Sequence, residues 1–121
     1  MKYLYLPVTV TVLLFERGLS AGLFSENVAE LVVEAPLIAR SRKAGHFVIV
    51  RVDKNGERMP LTISDADVEK GTITLVVQRI GVSSTKLCAL EVGDQVADLV
   101  GPLGKATDIK KFGTVVCACG G

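Results

Sequence analysis

From residue 28 onward, apolar and polar residues alternate in short runs separated by turn residues, the pattern of β-strands with one face turned inward. Ala29-Glu30-Leu31-Val32-Val33-Glu34 is the first such run, and Ala35-Pro36 stops it. A polar, basic connection over Ile38 to Lys43 leads to the turn Ala44-Gly45. His46 to Val52 follows as a strand, with Phe47, Ile49 and Arg51 on one face and Val48, Val50 and Val52 on the other. Asn55-Gly56 is a hairpin signal that returns the chain along Arg58 to Ile63. Ser64 to Glu69 reads as an acidic loop, and Thr72 to Ile80 is the longest β-branched run. The only helix signal lies at Thr85 to Leu90, with Ser83 or Ser84 as N-cap. Gln95 to Val100 is another strand, closed by Gly101-Pro102-Leu103-Gly104, and Lys105 to Phe112 is loop-like. Thr114 to Cys119 reads as a last apolar strand before Gly120-Gly121. Many short strands with one small helix predict an all-β fold, an antiparallel barrel or sandwich.

The N-terminal segment departs from this rhythm. Met1-Lys2 precedes an apolar stretch from Tyr3 to Phe15, then Glu16-Arg17 and the small residues Gly18 to Gly22. A positive start, a short apolar run and small residues resemble a secretion signal. Strict alternation in Val8-Thr9-Val10-Thr11-Val12 is strand grammar instead, and residues 1–25 are read as an added strand or arm.

Length and composition narrow the function classes. The 121 residues suit one domain with one core. A net charge of +1 gives no global field for nucleic acid or an anionic membrane. The apolar N-terminal run is too short to span a bilayer. With four Phe, two Tyr and no Trp, there is no base-stacking platform. Cys88, Cys117 and Cys119 are an odd set and no disulfide framework; Cys117 and Cys119 would share one face of a strand. Two such ligands are too few for a closed zinc site, so buried thiols in a reducing, cytoplasmic setting are expected and no metal site is assigned.

Two segments carry candidate chemistry. Arg58-Met59-Pro60-Leu61-Thr62-Ile63 sets a guanidinium, a rigid proline and a hydroxyl along one extended segment. Gly81-Val82-Ser83-Ser84-Thr85 is a glycine loop with three hydroxyls before the helix. A fixed cation beside a loop of backbone N–H groups and hydroxyls suits a diphosphate. A proline-fixed strand bearing a threonine suits the edge of a flat ring. Together they suggest a flavin dinucleotide site.

Arg58-x-Pro60-Leu61-Thr62, the Gly81 loop and Val100-Gly101-Pro102-Leu103-Gly104, in that order, resemble the flavin domain of the ferredoxin–NADP reductase superfamily. The likeness runs from about Asn27 to Gly121, toward the small subunit of NADH-dependent ferredoxin–NADP oxidoreductase (sulfide dehydrogenase) and the dihydroorotate dehydrogenase electron-transfer subunit. It implies a six-stranded antiparallel Greek-key barrel with one small capping helix over 26–112, holding FAD. By that likeness Arg58 meets the pyrophosphate and Thr62, after Pro60-Leu61, lies near flavin N5. Gly81, Ser83, Ser84 and Thr85 meet the phosphates, and Val76, Val77 and Gln78 border the ring or the adenosine. Residues 113–121 resemble the first strand of a nucleotide-binding domain that would bring NAD(P)H. Implied partners are a large iron–sulfur/flavin subunit or ferredoxin, and no side chain is assigned a catalytic role. Ala44-Gly45-His46 departs from the Pro-Gly-Gln usual in this branch, and 1–25 has no counterpart.

Plainer readings stand beside these. Arg58 could be an exposed hairpin charge, Gly81 a simple turn, Ser84 a simple cap, and Asp65 and Asp67 solvated loop charges. His46 is expected to be structural. The competing functions are a non-enzymatic β-barrel binding module that holds no flavin, and a truncated domain that no longer retains it. Apolar residues 114–119 are expected to pair with the N-terminal arm or a second copy of the chain.

Overall fold

A computed structural model describes residues 4–6, 10–17 and 27–119. Its elements are β1 (Leu4–Leu6), β2 (Val10–Arg17), β3 (Val28–Glu34), α1 (Pro36–Ser41), β4 (Phe47–Arg51), β5 (Arg58–Asp67), β6 (Thr72–Gln78), α2 (Val82–Cys88), β7 (Gln95–Val96) and β8 (Asp98–Leu103). The strands lie in the order β1-β8-β4-β5-β6-β3-β2-β7, and every neighbouring pair is antiparallel. Among the described residues the fold is mostly strand, with two small helices where one was expected. Eight strands are described rather than six, because β1 and β2 in the N-terminal arm pair with the body. No ladder between β1 and β7 closes the order among the described residues.

The core follows the alternation. Leu31 and Val33 of β3, Val48 and Val50 of β4, Ile73, Leu75 and Val77 of β6, and Leu99 of β8 are each at most 3% exposed. Register sets Leu31 opposite Leu75 and Val33 opposite Ile73, so same-face apolar pairs join β3 to β6.

The basic connection proves to be α1. Pro36 opens it without wasting a donor, since the first helical N–H groups have no intrahelical partner. Ile38 and Ala39 supply a buried face that the flanking Arg40, Arg42 and Lys43 concealed in the sequence. The acidic loop over Ser64 to Glu69 is corrected as well. β5 continues to Asp67 through a bulge between Ile63 and Asp65, and the Ser64 hydroxyl donates to the Thr74 carbonyl at 3.0 Å.

Residues 114–119 form no strand and are exposed, and the arm pairs instead with β3, β7 and β8. The expected pairing of this segment with the arm is therefore corrected, as is the burial of its thiols. Cys88 is buried, with Sγ 3.9 Å from the Val77 carbonyl, but Cys117 and Cys119 are exposed because no neighbouring strand covers them. His46 is 6% exposed and its Nδ1 accepts the Lys43 backbone N–H at 3.0 Å, a structural role. Among the described residues no helix is long and apolar enough to cross a membrane.

Candidate functional site

β5 changes partner halfway along its length. Arg58 to Thr62 pair with β4, while Ile63 to Asp67 pair with β6. Over the first half of β5 the far end of β6 is unpaired with it, and a cavity of about 410 Å³ opens there. Pro60 and Leu61 form one wall, Val77 and Gln78 the other, and Gly81, Ser83 and Ser84 of the loop and α2 close the end. Apolar faces with a few polar groups at the rim are the usual makeup of a small-molecule site.

The structure thus brings Pro60, Leu61, Val77, Gln78, Gly81, Ser83 and Ser84 together. It leaves Arg58, Thr62, Val76 and Thr85 off the lining. Thr62, Val76 and Thr85 are exposed, and Val76 points away from the core because Leu75 and Val77 point into it. Arg58 turns across β4 toward β8, where its Nη2 lies 3.3 Å from Asp98 Oδ2. Asp98, 3% exposed, is paired more closely with Arg51, and Arg58 is the second cation drawn to the same carboxylate. A second cavity of about 440 Å³, between 51–54 and 95–98, contains none of the candidate residues.

The hydroxyls of the glycine loop have separate tasks. α2 begins at Val82, earlier than expected, with Gly81 as N-cap. Ser84 is not the N-cap but lies one turn in, 8% exposed. Its Oγ accepts the backbone N–H groups of Ile80 at 3.0 Å and Gly81 at 2.9 Å and donates to the Gly81 carbonyl at 3.2 Å. Ser84, Leu87 and Cys88 share the inward face of α2 by helical spacing. Ser83 Oγ donates to Glu57 Oε2 at 3.1 Å, and Lys86 Nζ lies 3.5 Å from Asp53 Oδ2. One turn of α2 is therefore tied twice to the β4–β5 hairpin.

Glu57, Met59, Ile80 and Val82 also line the cavity and were missed in the sequence. Met59 was legible, since it shares a strand face with Leu61. Glu57 was not, because its place depends on how the hairpin meets α2.

In fold the chain is similar to electron-transfer proteins of the ferredoxin–NADP reductase-like type. No protein-family model matches the chain. It is 34% identical over 97 residues to a dihydroorotate dehydrogenase B (NAD(+)) electron transfer subunit homolog of Thermotoga maritima, covering 80% of this chain and 34% of that protein. An uncharacterized protein in the adh 3' region of Clostridium beijerinckii is 50% identical over 80 residues, covering 66% of this chain and 27% of that one. Among solved structures it superimposes on the NADH-dependent reduced ferredoxin-NADP oxidoreductase studied for flavin-based electron bifurcation, with a TM-score of 0.79 and 28% identity over 87% of this chain and 36% of that one. The chain spans about a third of the length of such relatives.

Proposed function

We propose that this chain is the flavin-binding part of an electron-transfer oxidoreductase that moves electrons between NAD(P)H, FAD and an iron–sulfur partner. One observation carries the reading: the cavity where β5 and β6 part collects residues from both candidate segments. Its volume falls within the roughly 300–1,000 Å³ of small-molecule pockets. Apolar lining at Pro60, Leu61 and Val77, with the polar side chains of Gln78 and Ser83 beside it, fits a planar ring system with a polar edge.

Bound FAD would supply two-electron exchange with a nicotinamide and one-electron exchange with an iron–sulfur centre. The chain's own residues would bind, orient and shield it. Pro60, Leu61 and Val77 would exclude water from the ring faces, while Thr62 would offer a hydroxyl to the ring edge. Arg58 would offset diphosphate charge, with Gly81, Ser83 and Thr85 at the phosphates and Val76 and Gln78 at the margin. Ser84 would act by holding the Ile80–Gly81 backbone in shape. The strand order supports a Greek-key barrel: β7 and β8 lie near opposite ends of the order, yet only Ala97 separates them. A second domain following 113–121 would bring NAD(P)H, and a large iron–sulfur/flavin subunit or ferredoxin would accept electrons. Free thiols suit a reducing cytoplasm.

A second reading has its own support. Arg58 and Ser83 already have acidic partners in Asp98 and Glu57, as they would in a binding module that never holds flavin. Titration with FAD separates the two, followed by flavin fluorescence and the visible bands. Saturable one-to-one binding is expected, and Arg58→Ala should weaken it by about 2–3 kcal/mol, the worth of a charge-assisted hydrogen bond. Equal affinity in both proteins removes Arg58 from the site; no binding by the wild type removes flavin from the function.

A further inference from the structure

Three adjacent strands align a row of charge. Register sets Arg51 opposite Arg58 on one side and opposite Asp98 on the other. Two guanidinium groups directly across a ladder repel one another, and the Asp98 carboxylate, 3% exposed, offsets both. The two cations do not share it equally. Arg51 Nη2 lies 2.5 Å from Asp98 Oδ2 and its side chain is 24% exposed; Arg58 Nη2 lies 3.3 Å from the same oxygen and its side chain is 48% exposed. Arg51 Nη1 also lies 3.5 Å from the Lys54 carbonyl oxygen, at the long end of a hydrogen bond.

We propose that Arg51 is a positioning residue: as the resident counter-ion of Asp98, it leaves Arg58 releasable to the diphosphate of a dinucleotide. The proposal rests on the flavin reading and deepens it. Two cations and one anion leave the row a formal charge of +1, available at its more exposed member. Without Arg51 the row is neutral. A buried carboxylate that has lost one of these two cations holds the other more tightly, so Arg58 would then be held against Asp98. Asp98 thereby orients both arginines, and Arg51 decides whether the second can leave.

The test uses the full chain and five variants: Arg51→Gln, Arg51→Lys, Arg58→Ala, the cycle double Arg51→Gln/Arg58→Ala, and the rescue double Arg51→Gln/Asp98→Asn. Arg51→Gln is expected to weaken FAD binding about tenfold, because Arg58 then stays on Asp98 and no longer offsets the diphosphate. Arg51→Lys should stay within about threefold of wild type, since a cation still faces Asp98. Adding Arg58→Ala to Arg51→Gln should cost much less than it costs in the wild type, the signature of coupled residues. Removing the carboxylate as well, in the rescue double, should restore affinity and also covers the case in which Arg51→Gln alone fails to fold.

A merely structural Arg51 would lower the melting temperature without producing this pattern. Nuclear magnetic resonance of the Arg58 guanidinium gives a readout that needs no flavin. Its rotation should be slower in Arg51→Gln than in wild type, and its shift on adding inorganic pyrophosphate should be lost. Wild-type affinity in a folded Arg51→Gln protein, a rescue double as weak as the single, or unchanged Arg58 rotation would each overturn the proposal. Failure of wild type to bind FAD would sink the flavin reading alone, because the rotation measurement still decides what Arg51 does to Arg58.

Discussion

Replacing Ser84 by alanine separates a ligand-binding hydroxyl from one that builds the site. Ser84 Oγ makes three hydrogen bonds, accepting from Ile80 and Gly81 N–H and donating to the Gly81 carbonyl. Alanine deletes all three. Ile80 and Gly81 are themselves exposed, so water recovers part of the loss. The Gly81 carbonyl also keeps its bond from the Thr85 N–H at 3.0 Å. The cost therefore falls near that of a helix cap, about 1–2 kcal/mol, rather than the sum of three buried bonds. Urea unfolding followed by circular dichroism measures it, with an unchanged m-value marking a true stability change. Ser83→Ala is the internal comparison. Its single exposed bond to Glu57 should be worth no more than ~0.5 kcal/mol. The reasoning fails if Ser84→Ala is as stable as wild type, or if Ser83→Ala costs more. Weaker FAD binding in Ser84→Ala with undiminished stability would restore the hydroxyl to direct phosphate binding.

Two further outcomes test the fold. Leu75→Ala removes a side chain 1% exposed that faces Leu31 across the β3–β6 ladder, and should cost about 2–5 kcal/mol in the same urea experiment, as large-to-small core changes do. Thiol titration of the native protein with an aromatic disulfide reagent should modify Cys117 and Cys119 quickly and Cys88 only after denaturant is added. Two protected thiols instead of one would mean that 114–119 is covered in solution.

Legibility in the sequence tracked how local each signal was. Val48 and Val50 could be placed on one face together because a strand turns alternate residues to one side, and no distant residue changes that; the structure shows that this face is the core. α1 was hidden because its buried residues, Ile38 and Ala39, are few and sit among three basic ones; docking of that short face forms the helix, as intrinsic propensity alone cannot. Asn55-Gly56 marked the hairpin correctly but not its turn. The closing bond runs from Gly56 N–H to the Asp53 carbonyl at 3.0 Å, and the Asp53 side chain accepts the Asn55 N–H at 3.0 Å, so an aspartate two residues earlier organises the loop. At the site, both motif segments were visible as sequence. What was not visible is that Arg58 answers to Asp98, forty residues on, since a buried carboxylate's choice of partner depends on strand register.

Pro60 ties these levels together. A proline has no N–H to give a ladder and belongs on a strand with an open side. β5 has such a side over Arg58 to Thr62, where only β4 is paired with it. The ring is then free to face the gap toward Val77 and Gln78, and it does. Had β6 stayed paired along the whole of β5, a proline there would stand in a ladder on each side and the gap would be closed. The change of partner at Ile63 and the proline three residues before it are therefore one feature seen at two scales. The same local break that makes Pro60 tolerable also makes the cavity.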